Sequence, residues 1–192
     1  MGLGREIIKF GAVAGLATAL LVFLVNTQPK LVPDDAVAAD ATVTASLTAG
    51  TLQVNAPGTT SLSDTDLDVI DDSGGEATGT LSGVEIRDHR AAAPGWSATI
   101  TCDDFDDGVE VIPVTEFTIT PGTINPTGNS SLTGVTAGSQ HTFSGTSDPA
   151  TLMSAANGNG RGRFVQNTDL SLGIDVSTVP SLYSTTCTET VS

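Results

Sequence analysis

Residues 96–102 read Trp96-Ser97-Ala98-Thr99-Ile100-Thr101-Cys102, apolar at every even position and hydroxylated at every odd one. Successive side chains leave a strand on opposite sides, so a period of two over seven residues marks a strand with one buried and one wetted face. Trp96, Ala98, Ile100 and Cys102 are therefore expected to face a core together. Pro94-Gly95 precedes the run and an acidic stretch, 103–108, follows it. Both are turn compositions and mark the ends of the strand.

The pattern continues outward from this strand. Beyond residue 39 the chain is dominated by Thr, Val, Ser, Gly, Ala and Leu in short runs broken by Gly, Pro, Asn and Asp, with almost no helical period. Candidate strands are 41–46, 51–55, 65–71, 79–88, 96–102, 112–119, 139–145, 151–156, 162–165, 170–176 and 181–191, with 121–138 a long turn-rich connection. Many short strands with few long gaps predict an all-β antiparallel sandwich of Ig-like or Greek-key type. Residues 39–192 are long enough for one such domain with a real core.

Cys102 and Cys187 are the two cysteines of the chain. Cys102 belongs to the inward face of its strand, and Cys187 falls on the last candidate strand. A disulfide between them is expected; free thiols or a metal site are the alternatives, although neither cysteine has a His or Cys at ligand spacing. The bridge would close a loop of 84 residues, a constraint of up to about 4–5 kcal/mol on the unfolded chain.

The N-terminus reads as an address. Arg5 and Lys9 precede an uncharged apolar run from Phe10 to Val25, the pattern of a signal peptide or membrane anchor. Ala36-Val37-Ala38 offers a cleavage site, so residues 1–38 are assigned to a signal peptide or an N-terminal anchor helix, with 10–25 as the membrane-facing stretch. Either outcome places the body outside the cytoplasmic membrane, extracellular or on the cell surface. From residue 39 on, Arg87, Arg90, Arg161 and Arg163 are the strong bases against nineteen Asp and Glu. Nucleic acid and anionic lipid are poor partners for such a surface, and solubility by mutual repulsion is the simpler use of the charge.

Few residues suggest chemistry. Asp64, Asp66 and Asp68 have calcium-loop spacing, but Val69 stands where the sharp turn needs Gly and Gly75 where the bidentate Glu belongs, so an EF-hand is excluded. Asp103, Asp104, Asp106, Asp107 and Glu110 are a better candidate for an irregular Ca²⁺ site, since a loop can converge oxygens without a fixed register, although a solvated acidic loop is the plainer reading. His89 and His141 have no evident catalytic companion, and no nucleophile elbow, zinc-protease helix or phosphate loop occurs. No enzyme and no cofactor are expected. Trp96 and Tyr183 could form a sugar-stacking platform, although Trp96 reads more naturally as core beside the disulfide.

The order of certain residues resembles the WxL-like surface domains of Gram-positive bacteria, in particular a divergent actinobacterial branch. The stretches that carry it are 41–52, 79–100 and 158–192. Val84, Asp88, Arg90, Gly95 and Trp96 follow one another like the family's Val-x-Asp-x-Arg strand before a Gly-Trp pair, and Leu170, Leu172, Tyr183 and Val191 match its closing strands. The Trp-x-Leu triplet is absent, because Trp96 is followed by Ser97-Ala98. The resemblance implies a secreted, non-catalytic β-sandwich attached to wall polymer or to other surface proteins. It also marks Asp88, Arg90, Gly95, Trp96 and Tyr183 as motif and possible binding residues. The runner-up is a self-associating subunit of an extracellular filament or coat, assembled through strand edges.

Overall fold

A computed structural model of the chain describes residues 44–63, 65 and 74–192. The leader, its cleavage after residue 38 and the membrane-facing stretch 10–25 lie outside the described residues, as do 41–43 and 66–71 of two candidate strands.

Residues Ala45–Ser192 form one compact unit, all-β and antiparallel. Its strands are β1 (Leu52–Asn55), β2 (Gly75–Asp88), β3 (Trp96–Cys102), β4 (Phe105–Asp106), β5 (Val111–Ile112), β6 (Phe117–Thr127), β7 (Val135–Ala137), β8 (His141–Thr142), β9 (Ala150–Ala155), β10 (Gly162–Ile174) and β11 (Cys187–Val191). A five-stranded sheet runs β1-β2-β10-β6-β8, a four-stranded sheet runs β11-β3-β9-β7, and β4-β5 is a small ribbon. Both large sheets contribute to a single apolar core: Val84, Ile86, Ile119 and Phe164 from the first, Ile100, Leu152 and Met153 from the second.

β3 has the expected limits, and Trp96, Ala98, Ile100 and Cys102 are all buried while the hydroxyl residues between them are partly exposed. Other boundaries differ, for definable reasons. The expected strands 162–165 and 170–176 are one strand, β10, and the expected connection 121–138 contains the second half of β6 and all of β7. The expected strand 112–119 divides into β5, a 3-10 turn at Val114–Glu116 and the start of β6. The cause in the first two cases is a shared irregularity. β10 keeps an unbroken inward set, Phe164, Gln166, Thr168, Leu170 and Leu172. Opposite Asn167, both neighbouring strands carry an extra residue: Gln166 pairs with Val84 and Thr168 with Leu81, while on the other side they pair with Ile124 and Pro121. These bulges shift the inward set of β2 from odd (Ala77, Leu81) to even (Val84, Ile86, Asp88), and that of β6 from Phe117 and Ile119 to Ile124. Gly83 adopts φ +82°, and its N–H donates to Asn167 Oδ1 at 2.9 Å, locking the bulge.

Three further expectations shrink. Of 181–191 only Cys187–Val191 is strand, because Ser184 is held by Asp106 through a pair of backbone hydrogen bonds. Of 139–145 only His141–Thr142 pairs, with β6. Residues 44–46 carry no strand and are exposed, and Thr65 is likewise outside any strand.

Candidate functional site

Cys102 and Cys187 are bridged, and they are direct cross-strand partners in the β3–β11 ladder. The hydrogen bond from Asp103 N to Thr186 O shows that they occupy a non-hydrogen-bonded position, where strands approach closest. The bridge therefore clasps two adjacent strands. A disulfide is consistent with an oxidising, extracytoplasmic location.

Asp88, Arg90, Gly95 and Trp96 come together at one end of the body. β2 ends by turning Asp88 inward, where its carboxylate is wholly buried. Arg90 folds back onto it with Nε and Nη2 each at 2.9 Å from a different carboxylate oxygen, and the Arg90 N–H donates to the same group at 3.0 Å. Burial opposes ionisation of Asp88, but the hydrogen bonds and charge of Arg90 outweigh it and hold the carboxyl below the usual range. Arg90 Nη2 also donates to Gly95 O at 2.7 Å, and Trp96 Nε1 donates to Gly160 O at 2.9 Å. Gly160 has φ +81°, and a Cβ there would lie 2.5 Å from Trp96 Nε1, so only Gly admits this approach. Trp96 is core, packed on Phe164 at a ring separation of 5.8 Å. The polar atoms of this motif are used on one another, sewing the loop after β2 to the loop before β10. Tyr183 lies elsewhere, with its hydroxyl on Val179 O at 2.9 Å.

The acidic residues after β3 do not converge. Phe105 is buried against Phe117 and turns the stretch into the β4–β5 ribbon. Asp106 Oδ1 accepts from Gly108 N, Asp107 Oδ1 from Val109 N and Glu110 N, and Asp104 Oδ1 from Val114 N. The loop consumes its own carboxylates as turn caps. Among the described residues no group of three His, Cys, Asp or Glu side chains is placed to hold a metal ion, and of the calcium candidates Asp103, Asp104, Asp106, Asp107 and Glu110 it is Asp104, Asp106 and Asp107 whose carboxylates cap backbone N–H groups of the turn.

Sequence reasoning missed four features. Glu85 is buried between Arg87, two residues on along β2, and Arg163 on the adjacent strand β10, both of which bond its carboxylate. His141 Nε2 lies 3.0 Å from Asp148 Oδ2, which also accepts from Ser144 N and Oγ at 2.9 and 2.8 Å. The Ser144 hydroxyl is bound to the carboxylate and not to the imidazole, the reverse of what an activated nucleophile needs. The outer face of the five-stranded sheet forms a polar trough of about 520 Å³. Thr78, Ser171, Thr118 and Thr142 make one cross-strand row, and Thr80, Asp169 and Thr120 the next. Finally, an apolar groove of about 1020 Å³ opens between the two large sheets, with Leu81, Leu170 and Leu172 on one wall, Ile100 and Glu189 on the other and Leu182 and Tyr183 at its rim. Desolvation raises the Glu189 carboxyl above its usual range. The hydroxyl alternation of β2 and β6 could have revealed the trough, but the bulges conceal which residues share a face.

Comparison with protein-family models, with curated proteins and with solved structures finds no match.

Proposed function

We propose that this chain is a non-catalytic protein exported to the cell surface, whose body is an antiparallel β-sandwich of Greek-key type that binds or scaffolds wall polymer at the envelope. The observation that carries this reading is the polar trough. Its two rows of hydroxyls, one centred on Asp169, repeat at the strand spacing of about 4.8 Å and offer donors and acceptors to a polyhydroxylated chain. Two sheets feeding one core support the sandwich, and the closed bonding of Asp88, Arg90 and Trp96 supports a structural use of the motif residues that resemble the WxL-like domains.

Incubation of the purified full-length chain with insoluble peptidoglycan tests the proposal. The protein is expected to sediment with the wall, and T78V/T120V, which removes one hydroxyl from each row without touching the core, is expected to bind roughly tenfold less, as loss of about 1.4 kcal/mol implies. Wild-type protein remaining in the supernatant, or undiminished binding of the double variant, overturns it. Release of soluble wall glycans would overturn the non-catalytic half.

A second reading, a self-assembling subunit of a filament or coat, is favoured by the edge strand β11 and the open groove beside it.

A further inference from the structure

Arg87 on β2 and Arg163 on β10 stand directly opposite each other on the outer face of the five-stranded sheet. Like charges at such a position destabilise a sheet. From residue 39 on, the strong bases are Arg87, Arg90, Arg161 and Arg163. Half of that small stock is placed in one cross-strand pair.

Glu85 makes the pair tolerable. It lies on the same face, diagonal to Arg163, and its carboxylate accepts from Arg87 Nε through one oxygen and from Arg163 Nε and Nη2 through the other. Burial opposes ionisation of Glu85, but the hydrogen bonds and charges of both arginines outweigh it and hold the carboxyl below its usual range. Although Glu85 faces outward it is only 4% exposed, whereas each arginine side chain remains 45% exposed. The two guanidiniums cover the carboxylate on one edge and turn their other N–H groups to solvent. A guanidinium has more donors than this shared carboxylate takes, and two positive charges against one negative leave the cluster net positive. Because Glu85 fixes both forks in advance, an incoming group does not have to order them.

Neighbouring strands extend the donors into a row. Gln53 on β1 and Thr127 on β6 are exposed and flank the pair, giving Gln53, Arg87, Arg163 and Thr127 across four strands. The row also shares its face with the trough. β10 keeps one alternation throughout, so Arg163 points to the same side as Asp169 and Ser171, and the run from 163 to 169 spans about 20 Å at the rise of a strand. Glu76 and Asp169 make the trough end repel anions, while the arginine end attracts them. The face therefore has a direction.

We propose that the Arg87–Arg163 pair is an anion subsite that takes a carboxylate borne by the wall polymer, with the uncharged sugars of the same strand lying along β10 in the trough. Glu85 already shows that the two forks converge on a planar carboxylate, and a second carboxylate on their open edge balances the one charge left over. The ligand is accordingly an acidic glycan, held in one orientation. This inference rests on the wall-binding reading and narrows its substrate class.

Masking the polymer tests it without altering the protein. Insoluble peptidoglycan is prepared native and with its carboxyl groups converted to amides, and the full-length chain is incubated with each. Wild type is expected to bind the amidated wall roughly tenfold more weakly and to be released from the native wall by salt. E85Q/R87Q/R163Q removes the three charges together and leaves none buried and unpaired. It is expected to keep the denaturation midpoint, to bind the native wall roughly tenfold more weakly than wild type, and to bind both walls equally. Equal binding of wild type to the two walls overturns the arginine site while leaving wall binding standing, and needs no variant to fold. A folded triple variant that still prefers the native wall overturns it as well. Soluble polygalacturonate, with a carboxylate on every sugar, is expected to compete for the native wall; polyphosphate competing more strongly overturns the carboxylate assignment. Wild type that binds neither wall overturns both readings.

Discussion

Asp88 shows how one buried charge organises an end of this protein. Its carboxylate is out of water, and both oxygens are held by Arg90. D88N leaves the guanidinium without its counter-charge. Breaking a fully enclosed pair costs roughly 3–5 kcal/mol; Arg90 keeps 26% of its side chain exposed, so a loss of about 2 kcal/mol is expected in urea denaturation. Because the folded carboxyl is held below 3.8, its ordinary value, the stabilisation is complete above that pH and is lost as pH falls through the lower folded value. The gap between wild type and D88N should therefore narrow below about pH 4. Glu189 has the opposite sign. Its folded carboxyl titrates above 4.5, so its contribution is favourable at low pH and is lost as pH rises through the folded value. E189Q is expected to be more stable than wild type at pH 7 and equal to it below 4.5; equal stability at pH 7 would show that Glu189 is not desolvated. The sequence singled out Asp88 through its resemblance to the WxL-like domains but gave no sign that Glu189 is partly desolvated, because one Glu among threonines on a last strand looks like solvent-facing polarity.

At the scale of the strand, legibility depended on whether one period runs from end to end. β3 was readable because it has no internal shift of its inward set. β2 was read only over 79–88 and β6 only over 117–119, because a bulge in each exchanges the faces midway, and the two halves cancel in any single alternation. β7 and β8, at three and two residues, are too short to carry a period. The bulge level also holds the polar side chains of the core. Gln166 Nε2 donates to Gly122 O at 2.8 Å, but Gln166 Oε1 and Thr168 Oγ1 have no partner. An unpartnered buried hydroxyl costs about 1–3 kcal/mol, so T168V, nearly equal in shape, is expected to stabilise the protein by about 1 kcal/mol, read as a higher denaturation midpoint at unchanged slope. A decrease would mean that the hydroxyl is bonded after all. The trough was illegible for the same reason as the bulges: its rows cross strands, and register is a tertiary fact.

The whole molecule has two inventories that composition alone reveals, cysteine and charge. The bridge was foreseen from two cysteines in a chain whose N-terminus reads as an export signal; what sequence could not supply was that they face each other on neighbouring strands. Reduction is expected to lower stability by up to about 4–5 kcal/mol, measured by denaturation with and without reductant; a loss below about 1 kcal/mol would mean that the unfolded chain is already compact there. The gathering of Arg87, Arg90, Arg161 and Arg163 around Glu85 and Asp88 was likewise invisible until the fold brought residues 85–90 and 161–163 together.

The clasp between β3 and β11 also determines how the body answers a pull. Tension applied between residue 44 and the C-terminus can strip away residues 188–192 and then reaches covalent sulfur, so residues 103–186 never enter the load path. At about 3.5 Å per extended residue the oxidised chain withholds roughly 300 Å of length that the reduced chain would release. A molecule held at one end and dragged at the other would extend only through the segments outside the bridge, and its thiol state would set whether residues 103–186 add to that length.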